Sequence, residues 1–330
     1  MIKLFRGNML VQAVLIIALL ILLWTPVLLA PAAIATTGSD GLLYSYVASW
    51  LAHTPLLAVI VAMLLTLAEG VLLNLLLASV GIVPQTTLMP TLLFVIAMSA
   101  TTTTLSPILL TTAILLLCLQ QLTLNGSLLT IDTNRICTTT ALISICTLIY
   151  IPSVAFLLTY LLVVINYRLY SWRDWVALLL GLLAPYLLTA LILYLCDGLT
   201  GWWQSIIDTV STINLNTIES ETTVSSIANM ILGAIIAVSL VAMWSKLSEN
   251  TVIWQKNVMT VIFFAVGGIG VLVVTELFPI DISLFAIPFA LCGSHLLIPE
   301  KKMLTMGRKK QHLWIRDVLL VVIIISAYLC

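Results

Sequence analysis

Glu69 occupies the most costly position of any residue in this sequence. It lies near the middle of an apolar stretch, 55–80, where a carboxylate is expensive and an ionisable group is a functional candidate by default. Thr66 falls on the same helical face and Asn74 a turn further along. The group suits a proton or cation site, or a polar contact in a substrate cavity, which makes Glu69 and Asn74 candidate substrate-binding residues. A hydrogen-bonded Glu joining two helices explains the same residue without any chemistry. Asp40 stands just past the first apolar stretch, 9–29. There an acid could act as a general base and catalytic residue, or hold a divalent metal with Asp197 and Asp208 from a later loop. Trp202 and Trp203 in that loop offer aromatic faces to a sugar or lipid.

Other chemistries are excluded by count or context. The three histidines, His53, His295 and His312, fall near the outer surface, near the inner surface and in an inner loop, so they cannot share one metal, and no HExxH pair is present. There is no GxxxxGK[ST] phosphate loop, and Gly267-Gly268-Ile269-Gly270 lies inside an apolar stretch, where it reads as helix packing. The six cysteines lie singly in or beside apolar runs, as small core residues do. Nothing signals haem, nucleotide or flavin, and nothing suggests a nucleic-acid partner. No cofactor is defined by the residues; a divalent metal on the acids is the candidate they offer.

The elements that must position these residues follow from composition. Of 330 residues 62% are apolar and 8% charged, with a mean hydropathy of +1.21; soluble domains carry about 25% charged residues. Such a chain cannot coat a water-facing surface, so membrane lipids are its solvent. Within hydrocarbon the backbone must satisfy its own hydrogen bonds, and Leu-rich runs without period-2 alternation select helices over a barrel. The expected fold is all-α, a single integral membrane domain over 1–330 with about nine to eleven spans. The stretches are 9–29, 55–80, 84–100, 104–121, 134–149, 152–166, 175–196, 226–245, 257–277, 283–298 and 314–330. Pro90, Pro107 and Pro152 sit in or beside the short pairs 84–121 and 134–166, so either pair could be a hairpin that does not cross fully. The run Met9–Ala30 is longer than the roughly 7–15 residues of a signal h-region, so the first span is read as an uncleaved anchor.

Basic residues give the sidedness. With the N-terminus inside and the sides alternating, Lys3, Arg6, Arg135, Arg168, Arg173, Lys246, Lys256, Lys301, Lys302, Arg308, Lys309, Lys310 and Arg316 all fall on one face. That is every one of the thirteen Lys and Arg, the pattern of a cytoplasmic face. Six of them lie in or beside the basic inner loop of about 299–316. The outer loops, about 30–54 and 197–225, hold acids and no Lys or Arg. Leu42, Tyr44, Tyr46, Trp50 and Leu51 in the first suit a short interfacial helix.

The segment 135–198 runs through Leu148-Ile149-Tyr150-Ile151-Pro152, Tyr167-Arg168, Trp172-Arg173-Asp174-Trp175, Gly181-Leu182-Leu183-Ala184-Pro185-Tyr186 and Cys196-Asp197. It resembles an uncharacterised family of polytopic inner-membrane proteins from Bacteroidota, a domain of unknown function, as does 73–99 with Leu73-Asn74 and Met89-Pro90-Thr91-Leu92. The resemblance implies a bacterial inner-membrane location within the cell envelope. Where it leads one to expect Phe-Asp-Ala-Gly at the fifth span, this chain has Ile136-Cys137-Thr138-Thr139, so an acid there is not required. The first outer loop, with its acid and interfacial helix, also resembles that of membrane glycosyltransferases using polyprenyl-phosphate sugars, and this implies a polyprenyl-phosphate lipid partner. Those enzymes hold the donor phosphate with outer cations, which this chain lacks.

Three functions are therefore expected. The first is lipid-linked glycan or envelope lipid assembly at an outer acidic site built on Asp40. The second is transport of an ion or small molecule using Glu69, and the third a non-catalytic membrane scaffold.

Overall fold

The computed structural model describes residues 8–31, 34, 40–84, 86–101, 104–123, 132–167, 171–212, 223–245, 247, 251–275, 282–297 and 309–329, with backbone alone at 205, 208–212, 223–229, 275, 282, 309–316 and 329. The chain is a helical bundle of thirteen α-helices without strands among these residues. In order they are α1 (Met9–Leu29), α2 (Leu42–Leu51), α3 (Pro55–Ser79), α4 (Met89–Thr101), α5 (Pro107–Leu122), α6 (Thr133–Ile149), α7 (Phe156–Tyr167), α8 (Trp172–Leu195), α9 (Leu199–Thr212), α10 (Thr223–Trp244), α11 (Val252–Thr275), α12 (Ala286–Leu297) and α13 (Lys309–Leu329). Among the described residues four helices, α1, α3, α8 and α11, are long and apolar enough to cross a membrane.

Two short helices form the centre. α4 has 13 residues and α12 has 12; at 1.5 Å per residue they reach only about 20 Å, less than the thickness of a hydrocarbon core. Met89 to Ala100 of α4 and Ala286 to Ser294 of α12 are all buried. A helix that is apolar all round belongs inside, and these two pack on each other, ringed by α1, α3, α10, α11 and α13. The long helices keep one face outward: on α8, Leu179, Leu180, Leu183, Leu187, Leu188 and Leu191 are exposed, as lipid-facing side chains must be.

Prolines mark starts more often than breaks. Pro107 opens α5 behind Ser106, whose Oγ accepts from the Leu109 N–H at 3.2 Å, an N-cap with Pro at the first position. Pro90 is the second residue of α4. Pro152 lies in a 3-10 segment, Ile151–Ala155, that joins α6 to α7. Pro26 does sit inside α1 and, having no N–H, leaves the Leu22 carbonyl without its helical donor. The Thr25 hydroxyl donates to that oxygen instead, which keeps the backbone satisfied where water is scarce. The Gly267-Gly268-Ile269-Gly270 segment is helical and lies within α11. A Cβ on Gly267 would stand 2.2 Å from Thr159 Oγ1 and 2.5 Å from Phe156 Cδ1, so glycine there lets α7 close on α11.

The termini of the helices sort into two ends. At one, the Gly41 N–H donates to Ile149 O at 2.8 Å, Asp40 bridges Tyr150, and the Tyr44 hydroxyl donates to Leu105 O at 2.8 Å. At the other, Gln12 Nε2 donates to Thr86 O at 3.2 Å while its Oε1 accepts from Leu88 N at 2.8 Å. At this second end the Thr133 hydroxyl donates to Asp174 Oδ1 at 3.0 Å, and Tyr167 meets Thr260 at 3.2 Å. Trp254 contacts His295 edge-on at 5.8 Å. Every one of these pairs joins segments that the alternation of spans put on the same face. Arg135, Arg173 and Lys256, at the starts of α6, α8 and α11, share the second end. Lys3, Arg6, Arg168, Lys246, Lys301, Lys302 and Arg308 lie outside the described residues, and Lys309, Lys310 and Arg316 are described by backbone alone.

A buried carboxyl in the α3–α4–α5 seam

The inward face of α3 carries Ala58, Ala62, Thr66, Glu69, Gly70, Leu73, Asn74 and Leu77, a stripe at the spacing of a helix buried on one side. α4 and α5 cover it. The seam is threaded by polar contacts between helices. The Thr91 hydroxyl of α4 donates to Gly70 O at 3.0 Å, and Trp24 Nε1 of α1 donates to Ser99 Oγ of α4 at 2.9 Å. At its centre is Glu69, 1% exposed. Glu69 Oε2 lies 2.9 Å from the Thr112 hydroxyl of α5, which is also 2.8 Å from Leu109 O.

A threonine hydroxyl has one proton and here has two acceptors. If the carboxyl is neutral it donates from Oε2 to Thr112, and Thr112 donates onward to Leu109, so both contacts are full hydrogen bonds. If it is ionised, one proton must serve both. Among the described residues Glu69 Oε1 is buried with no hydrogen-bond partner, and so is Asn74 Oδ1, five residues on. Buried oxygens of this kind are uncommon, because each one forfeits its hydration. The Thr112 partner was not legible: α5 is rich in hydroxyls, with Thr111 and Thr112 adjacent, and threonines in apolar helices usually bond their own backbone, as Thr111 does to Pro107 O at 2.7 Å.

Asp40 has a different setting. Its backbone is tied to the end of α6, and a Cβ on the neighbouring Gly41 would fall 2.1 Å from Leu148 O, so the close approach fixes where Asp40 can stand. The interfacial helix expected after it is α2, which buries Tyr44, Ala48 and Leu51 and exposes Tyr46 and Trp50. Burial first, and then the Asp40 charge, push the Tyr44 hydroxyl above its ordinary range, so it stays a neutral donor to Leu105 O.

Asp197 serves the backbone. It follows α8 at φ 54°, with its N–H on Tyr194 O at 3.3 Å and the Gly198 N–H on Leu193 O at 2.9 Å. This is a Schellman ending with Asp in the left-handed position usually given to glycine. Trp202 and Trp203 lie near the start of α9, a helix within the expected outer loop of about 197–225; Trp202 is partly buried and Trp203 is 62% exposed. The Asp208 side chain lies outside the described residues. Among the described residues no three His, Cys, Asp or Glu side chains converge as metal ligands would.

These features define a class, a polytopic α-helical membrane protein with a buried carboxyl in its central seam. Compared with family models, curated proteins and solved structures, the chain gives no match.

Proposed function

We propose that this chain is a membrane transport protein in which Glu69 takes up and releases a proton or a small monovalent cation. The observation that carries the reading is the geometry of that carboxyl, with one oxygen on Thr112 and the other buried without a partner among the described residues. A carboxyl kept only to join two helices would be expected to satisfy both oxygens. One with a free acceptor in an apolar seam can hold a cation or exchange a proton as its helices shift. The sidedness that goes with this reading has the N-terminus and the basic end in the cytoplasm and the chain in a bacterial inner membrane, supported by the placement of all Lys and Arg on one face.

A second reading rests on Asp40, whose backbone is held by α6 beside the buried Tyr44. It is the acid of lipid-linked glycan or envelope lipid assembly, working on a polyprenyl-phosphate lipid. One experiment separates the two. Purified protein is reconstituted in liposomes holding a pH-sensitive dye, and proton entry is followed after an imposed pH step with potassium and valinomycin setting the potential. Glu69→Gln is expected to lower the rate at least tenfold, to that of empty liposomes, with Asp40→Asn unchanged. Flux equal to that of wild type in Glu69→Gln contradicts the transport reading. Flux lost only in Asp40→Asn would put the proton path at the outer acid and would likewise contradict the role given to Glu69.

A further inference from the structure

α3 and α5 run in the same direction past the Glu69–Thr112 contact. Between them lies a groove of about 300 Å³ lined by Leu72, Leu75, Leu76, Leu116 and Leu117, ending at Ser79, Gln120 and Thr123. From Leu72 to Ser79 it is about 10 Å long at the helical rise. Leu72, Leu75 and Leu117 are 52%, 60% and 44% exposed, so the groove opens sideways, toward the bilayer. Water is a poor occupant for a trough walled by leucine, and the surrounding solvent is alkyl chain.

We propose that this groove holds one phospholipid, with an acyl chain along the leucines and a hydrogen-donating headgroup, an ethanolamine, at the polar end. An acyl chain gains little by leaving one hydrocarbon for another, so selectivity must come from that end. The hydroxyl protons there are in use: Ser79 donates to Leu76 O at 2.8 Å and Thr123 to Gln120 O at 3.3 Å. Thr123 is 1% exposed, so its hydroxyl stays within the protein; Ser79 Oγ keeps its lone pairs at the exposed end of the groove, and the Gln120 amide adds one carbonyl acceptor and an NH₂ donor. The residues lining the groove include no Lys or Arg. An ammonium headgroup supplies donors for these acceptors while its phosphate takes the Gln120 NH₂. A choline headgroup has no N–H and cannot do so. The inference depends on the chain lying in a bilayer and not on the role given to Glu69.

The test uses the full chain reconstituted in equal parts phosphatidylethanolamine and phosphatidylcholine, extracted into mild detergent and weighed by native mass spectrometry. Wild type is expected to retain one phosphatidylethanolamine, at least fivefold over phosphatidylcholine. Leu117→Trp, which fills the trough from a half-exposed position, should lose it with an unchanged melting temperature. Leu64→Trp, on α3 and more exposed than Leu117 but outside the groove, should keep it. Gln120→Leu should bring the two lipids to parity. Equal retention of both lipids by wild type, or undiminished phosphatidylethanolamine in Leu117→Trp, overturns the proposal.

Discussion

Glu69 and Asp197 are both acids picked out by the sequence, and the fold puts them to opposite uses. At Asp197 the backbone is what the fold employs, since a residue at φ 54° sits where most side chains clash and Asp is better tolerated. Asp197→Gly is expected to hold or raise stability by up to about 1 kcal/mol, and Asp197→Val to lower it by about 1–2 kcal/mol. Both are read from thermal unfolding in detergent. Function lost in Asp197→Gly at full protein level would return this residue to the carboxylate cluster. Glu69 was legible because one charge in a long apolar run needs no structure to stand out. Its partner was not, since choosing Thr112 among the hydroxyls of α5 requires knowing which face of α5 meets α3.

Among the elements, the long helices were legible from length and hydropathy, and the alternation of their ends is reproduced by contacts such as Gln12 with Leu88 and Gly41 with Ile149. The short helices were harder. Complete burial removes the apolar–polar periodicity from which a boundary or face is read, so α4 and α12 carried no sign that they pair at the centre. α9 was missed because its Thr, Ser and Gln residues resemble a loop, although its apolar residues gather on one side. Close helix contacts give the prediction at this scale. Gly267→Val forces a side chain into Thr159 and Phe156 and breaks the Thr159 bond to Phe263 O at 3.1 Å. A loss of about 1–3 kcal/mol is expected. The control Gly201→Ala, inside α9 with nothing within 4 Å, should hold stability or raise it by up to about 1 kcal/mol. Equal melting of the two variants would mean that α7 and α11 do not meet as described.

For the whole molecule, the central question is which way the bundle faces and what its seam carries. Cys196 is exposed at the end of α8, whereas Cys118, Cys146 and Cys292 are buried. With the part-exposed Cys137 near the start of α6 and Cys330 both replaced by Ser, a membrane-impermeant maleimide added to intact spheroplasts should label Cys196. Labelling only after permeabilisation would invert the proposed sidedness. The seam itself is addressed most directly by infrared difference spectroscopy of the protein in lipid, wild type against Glu69→Gln. The account predicts a protonated-carboxyl band that disappears in Glu69→Gln and shifts within minutes of transfer to D₂O, because the group exchanges its proton with the medium. A Glu69 band that stays unshifted for hours would mark a carboxyl locked between α3 and α5 and would contradict a transporting role.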